Sequence, residues 1–429
     1  MDHLTAADKR QIAEERAGDA PDGSTLSWSI ALFGTAVGAG ILFLPIDAGG
    51  FGFLPLLVIT LLVGPMVFMS HRTYSRIVSA SPVKGLDVLQ VVTALSGRTR
   101  GLMTGLMYWL SIYPIVLIYG VSVTNTMDSF VVNQLGGPEL PRWLTAVVCV
   151  GVLTGAYAMG KKATLAFANM LVYPLIIALA AVSLYLIPQW DLASFRSYES
   201  DTPFWQAMLL ILPVFVFSFS HMPAVSQAAL DMQKRYDGDE VATEKHVSKI
   251  ELITVIMLVS FTMFFVWSCA LALGGDGLEA AREQNIPVLS YLANETHAPF
   301  LAVLSPIVAL CAIASSYFGV MGAEESTTYL VRAVAPNFAE RTSPKAMRWG
   351  IYVFVFVTTV AAAIANPSIL DLISVVGGVF ITFLVYIVPM LLFRNAKDFH
   401  RFANKPETII VFGLGVIIMG VSFWQMFVG

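Results

Sequence analysis

Gly34-Thr35-Ala36-Val37-Gly38-Ala39-Gly40-Ile41-Leu42-Phe43-Leu44-Pro45 stands at the centre of a hydrophobic run from Leu26 to Asp47. A helix that only anchors a protein has no use for three glycines within seven residues, because each weakens a helix interior. Non-helical backbone at membrane depth persists only where it is buried in protein or lines a cavity. The run therefore reads as an interrupted span. Its freed N–H and C=O groups fall near the bilayer midplane, where they suit a small zwitterion.

Composition agrees with a membrane protein. The chain is 57% hydrophobic and only 13% charged, with a mean hydropathy of +0.73. Windows of about 20 apolar residues give eleven spans, at roughly 26–47, 51–71, 102–132, 142–160, 163–187, 204–231, 249–274, 299–327, 346–365, 368–393 and 408–428. With the N-terminus inside, 22 of the 25 Lys and Arg residues fall on the inner side, leaving Arg142, Arg196 and Arg282 outside. Residues 1–25 read as a cytoplasmic tail without a signal sequence, and Gly429 is expected outside. Cys149, Cys269 and Cys311 are dispersed within spans, which argues for packing rather than disulfides or metal.

A second interruption is expected in span six, at Phe215-Val216-Phe217-Ser218-Phe219-Ser220-His221-Met222-Pro223. Pro223 donates no amide hydrogen bond, and Ser218, Ser220 and His221 are polar at membrane depth. Breaks in spans one and six are separated by five spans, an odd number, so a repeat of that length must be inverted. The predicted fold is all-α, with repeat one at about 26–187, repeat two at about 204–393 and an extra helix at about 408–428. Substrate would bind between the breaks.

These residues also resemble a known family. The Gly34–Pro45 run looks like the first-helix signature of the bacterial hydroxy and aromatic amino acid permeases, within the amino acid–polyamine–organocation superfamily. Ile112-Tyr113-Pro114-Ile115-Val116-Leu117-Ile118-Tyr119, Thr124-Asn125-Thr126, Phe217–His221 and the run from Glu283 to Ala293 look more narrowly like the serine permease branch. The resemblance implies a leucine-transporter-type fold, a multi-pass protein of the bacterial inner membrane, and proton-coupled uptake of serine or a close relative. Sodium coupling, and threonine or aromatic substrates, stay open.

The chemistry of an amino acid assigns the candidate site. Its carboxylate needs N–H donors, offered by the half-helix restarting after Gly40 with a favourable dipole. Gly38 and Gly40 let backbone approach and are expected to supply dihedrals closed to β-branched residues, while Thr35 offers a hydroxyl. The ammonium needs acceptors, such as carbonyls of Ala36, Val37, Phe217 or Ser218, with Ala39 in the same break. A serine hydroxyl needs a polar partner, for which Ser218, Ser220 and His221 are nearest. Tyr119 on span three is a candidate wall residue; packing is its other reading.

His221 is the leading proton-coupling residue, read as the one histidine deep inside a span. Ser315 and Ser316 in span eight are the sodium alternative, joining carbonyls of the first break. Asp47, Asp128 and Asp371 are expected at hydrated outer helix ends, and Glu324 and Glu325 at an inner end. The pair Gly377-Gly378 indicates either a flexible or a closely packed span ten. No esterase elbow, zinc motif or aspartate pair points to an enzyme. No cofactor or nucleic-acid partner is expected; the partners are the substrate and the bilayer. A non-transporting amino acid sensor is the reading from another class.

Overall fold

The structure, a computed structural model, describes residues 24–158, 161–198, 200–296, 299–317 and 320–428. Most of the cytoplasmic tail, and Gly429, thus lie outside the described residues. Among the described residues every regular element is a helix. Six are long and apolar enough to cross a bilayer, and two bent pairs make a further span each. Shorter apolar helices at Arg142–Ala156, Tyr173–Gln189 and Phe300–Ile313 occupy the places expected for spans four, five and eight. "Inner" below means the side on which Lys and Arg concentrate.

Both expected breaks are present. Span one divides into Thr25–Ala36 and Ala39–Gly50, and the pair bends by 65°. Span six divides into Phe204–Ser218 and Met222–Arg235 and bends by 50°. The local causes differ from the expectation. Gly38 is extended, at φ −145° and ψ −163°, which any residue adopts, and Gly40 is helical. Neither glycine is needed for its dihedrals. Pro223 falls in the first turn of the restarted helix, where its missing N–H is harmless, rather than inside a continuous one.

Several spans run further than hydropathy indicated. Span two is helical over Phe53–Ser79, well past residue 71, and the helix of span seven begins at Glu240 rather than 249. In the region of span eight, helices Pro299–Tyr317 and Val320–Val334 lie on either side of residues 318–319, which are outside the described residues. Within Glu240–Glu283 the backbone leaves helical geometry at Gly274 (φ 69°), turning the outer segment aside. Short helices at Val88–Ser96, Leu192–Ser197 and Val288–Thr296 had no sequence-level expectation.

Packing places the two breaks against each other. The outer half of span six touches the outer half of span one and span ten, while its inner half lies on spans two and seven. Span seven covers both halves of span one. Span three packs on spans four, eight, nine and ten. Span ten includes π-helical stretches at Val376–Ile381 and Phe383–Ile387. A Cβ on Gly377 would come within 2.9 Å of Phe217 Cβ, so the glycine pair serves close helix crossing.

Candidate functional site

Gly40 and Phe217 bring the two breaks into contact. A Cβ on Gly40 would lie 2.8 Å from Phe217 Cε1 and 3.3 Å from Ser218 Oγ. The Ser218 hydroxyl donates to the Gly40 carbonyl at 3.3 Å. Neither restarted half-helix has a side-chain cap, so first-turn N–H groups beginning with Ala39 and Gly40 face the break as donors. The preceding half-helices end there, where last-turn carbonyls run out of helical partners; those of Phe33, Phe215 and Phe217 already accept from the N–H groups of Val37, Phe219 and Ser220. Donors and acceptors of opposite dipole sign therefore converge on one point.

The candidate residues do not all turn toward that point. Ala36, Val37, Gly38, Gly40, Phe217 and Ser218 are buried at it. Thr35 is exposed, and its hydroxyl donates back to Ala31 O at 2.8 Å. The side chain of Ala39 lies outside the described residues. Tyr119 is buried on span three. Ser220 is half-buried, and its N–H bonds to Phe217 O at 3.3 Å. The side chains of Ser315 and Ser316 lie outside the described residues.

His221 is fully buried and belongs to a cluster that sequence reasoning missed. Its Nε2 is 2.8 Å from Glu251 Oε2, with both side chains fully buried. Its Nδ1 is 3.0 Å from the carbonyl of Phe219. His71 of span two stacks on it, ring centroids 4.0 Å apart and planes at 14°. His221 is therefore not alone at depth. Placing the end of span two at residue 71 and the start of span seven at 249 put both partners at the interface.

The carboxylates at the helix ends divide. Asp47 is not hydrated as expected: it is buried, 3.4 Å from Arg282, whose guanidinium lies over the Phe51 ring. Asp128 pairs with Arg142 at 3.5 Å and Asp371 sits in a first helical turn. Glu324 accepts from Arg348 at 3.1 Å and from Tyr352 at 3.0 Å. Among the described residues no three His, Cys, Asp or Glu side chains are grouped as metal ligands.

The model of the tryptophan/tyrosine permease family matches residues 23–425, nearly the whole chain. The chain belongs to that family. The permease is 36% identical over 408 residues to "Serine transporter SdaC" of Escherichia coli K12, covering 93% of this chain and 94% of that protein. It is 31% identical over 425 residues to "Threonine/serine transporter TdcC" of Escherichia fergusonii, covering 94% and 96%. In structure the permease is similar to a manganese transporter of Eremococcus coleocola, with TM-score 0.61, 13% identity, and 93% and 85% of the chains covered. It is also similar to MhsT in complex with L-phenylalanine, with TM-score 0.59, 14% identity, and 93% and 99% covered. These similarities show the leucine-transporter-type fold of a multi-pass membrane carrier, and no enzyme.

Proposed function

We propose that this permease imports a small hydroxylated amino acid, L-serine foremost, by proton symport with alternating access across a bacterial inner membrane. The observation that carries the reading is the meeting of two broken helices at Gly40 and Ser218. There uncapped N–H groups suit the carboxylate and helix-end carbonyls suit the ammonium. Ser218 is the nearest hydroxyl for the substrate side chain. A site built to hydrogen-bond that hydroxyl rejects analogues lacking it, because its buried polar groups would stay unpaired. Similarity to proteins named for serine, and for threonine with serine, supports this substrate class, with threonine the second candidate in this reading.

His221 is the proton-linked residue in this reading; the sodium alternative rests on Ser315 and Ser316, whose side chains lie outside the described residues. The charge asymmetry of the sequence supports an N-terminus in the cytoplasm and a C-terminus outside. Uptake of labelled serine into proteoliposomes tests the substrate. Unlabelled serine and threonine should compete, and far stronger competition by tryptophan or by an amine lacking a carboxylate would refute it. Flux itself separates a carrier from a sensor. Imposing sodium and proton gradients separately tests coupling, and under the sodium reading Ser316→Ala would weaken sodium-driven uptake.

A further inference from the structure

We infer that His221 and Glu251 together hold one transported proton, shared between His221 Nε2 and Glu251 Oε2, with His71 as a neutral positioning residue. The inference rests on the proton-symport reading above and names the group that carries it out. The carbonyl of Phe219, 3.0 Å from His221 Nδ1, can only accept, so Nδ1 carries a hydrogen. His221 Nε2 then faces Glu251 Oε2 at 2.8 Å, and neither a neutral imine nitrogen nor a carboxylate oxygen donates. One further proton must lie between them, whichever atom it is bonded to.

His71 cannot be its source. The backbone N–H of His221 donates to His71 Nε2 at 3.3 Å, so that nitrogen is bare. His71 Nδ1, 3.1 Å from Val67 O, carries the hydrogen, and the ring is neutral. Its stacking on His221 fixes the plane of the second imidazole. The two rings and the carboxyl thus have zero net charge with the shared proton and a net charge of −1 without it. Both His221 and Glu251 are fully buried, and an uncompensated charge there is unfavourable.

Among the described residues no Lys or Arg forms an ion pair with Glu251. From span two the group facing the pair is His71; from span seven it is Glu251 itself. The inner half of span one, Thr25–Ala36, contains no charged residue. On the helix that His221 leads, Asp231 is engaged by the Trp28 indole at 2.8 Å. Arg76 of span two pairs with Glu244 at 2.7 Å and with Glu407, forming a separate ionic group. Glu251 Oε1 is buried and accepts no hydrogen bond, so nothing else ties the carboxyl in place.

Coupling to substrate follows from position. His221 caps the restarted half of span six, and Phe219, which holds its Nδ1–H, lies inside the break beside Ser218. Glu251 stands within the continuous part of span seven. Movement at the break when substrate binds therefore changes the Nε2 to Oε2 distance. On separation the shared proton passes to water on the open side. A carboxylate is left opposite a bare Nε2, two acceptors that repel until a proton from the other side restores the bond. The cycle moves one proton per substrate.

Proteoliposomes holding the full chain test this with labelled serine and an entrapped pH dye. Glu251→Gln supplies an amide donor to Nε2 without a titrating proton. It should retain measurable serine exchange while pH-driven accumulation and serine-dependent proton influx fall at least tenfold. Glu251→Asp should recover proton-driven uptake with a displaced pH profile. Wild-type accumulation by folded Glu251→Gln would overturn the inference. If that variant does not fold, reversal potentials of the wild type decide: one proton per serine is expected, and zero or two overturns it. Serine exchange without proton influx would remove the proton site alone, whereas no serine exchange by the wild type would remove the carrier reading.

Discussion

The indole N–H of Trp28 donates to the Asp231 carboxylate at 2.8 Å, joining the inner half of span one to the inner half of span six. Thr25 reinforces that junction through His246 Nε2 at 2.8 Å, and Tyr236 meets the other ring nitrogen at 2.7 Å. A hydrogen bond to a charged partner contributes about 1.5–3 kcal/mol. Trp28→Phe keeps the aromatic packing and loses the donor. It should release Thr25–Ala36 from Met222–Arg235 and raise inner-side opening by about tenfold or more. Faster amide exchange in Thr25–Ala36, with serine binding retained, is the expected result; exchange rates equal to wild type would show that packing alone holds the junction.

A second polar junction stands on the outer side. Asn285, at φ 53°, accepts from the Ile369 N–H at 2.9 Å and donates to Asn366 Oδ1 at 3.1 Å and Pro367 O at 3.0 Å. Its carbonyl accepts from Asn125 Nδ2 at 2.7 Å, and Asn125 Oδ1 accepts from Arg142 at 2.6 Å. Spans three and four are thereby tied to the connections after spans seven and nine. Asn285→Ala removes the side-chain partners and puts alanine in a left-handed conformation, costing roughly 1–3 kcal/mol per stranded group. Lower thermal stability and faster labelling, by an impermeant reagent, of cysteines introduced at the outer helix ends are expected. Unchanged labelling would mean that the junction does not close the outer side.

The two breaks were legible because glycine clustering and polar residues at depth are local signals, and both fell where structure interrupts the helices. The reasons behind them were less legible. Gly40 matters for the ring of Phe217, a contact 177 residues away in sequence, and no local pattern reveals it. Thr35 was assigned by proximity in sequence, but helical phase turns its hydroxyl back to Ala31. His71 and Glu251 escaped because a hydropathy window stops where lipid-facing residues become polar. Helices whose inner ends are covered by other helices continue past that point. Arg76 makes the same case: a fully buried arginine beyond the expected end of span two.

Span ten should be as intolerant as span one. A Cβ on Gly377 would fall 2.9 Å from Phe217 Cβ and 3.0 Å from Phe217 N, and closer still to Pro213 O. Backbone cannot step aside as a side-chain end can. Gly377→Ala should lower stability by about 1–3 kcal/mol and displace the segment that carries Phe217 and Ser218. The checks are a lowered Tm in detergent and lost serine uptake. Full uptake with unchanged Tm would show that span ten moves freely over span six.

Gly40 offers the more discriminating test, because its obstacle is a side chain. The added Cβ of Gly40→Ala meets Phe217 Cε1 at 2.8 Å and Cδ1 at 2.9 Å, and Ser218 Oγ at 3.3 Å. The backbone there is helical, so alanine carries no conformational penalty and the whole effect is steric. Gly40→Ala should weaken serine binding at least tenfold, about 1.4 kcal/mol, by pushing Phe217 and Ser218 off the first-turn N–H groups. Phe217→Leu in the same chain removes the ring atoms it meets and should restore part of that loss, a coupling that independent sites would not show. Gly40→Val, with a bulkier β-branched side chain, should abolish binding while the folded fraction stays close to wild type. Serine binding by isothermal titration across the single and double variants measures the coupling directly. Wild-type affinity in folded Gly40→Val would place the carboxylate away from this break.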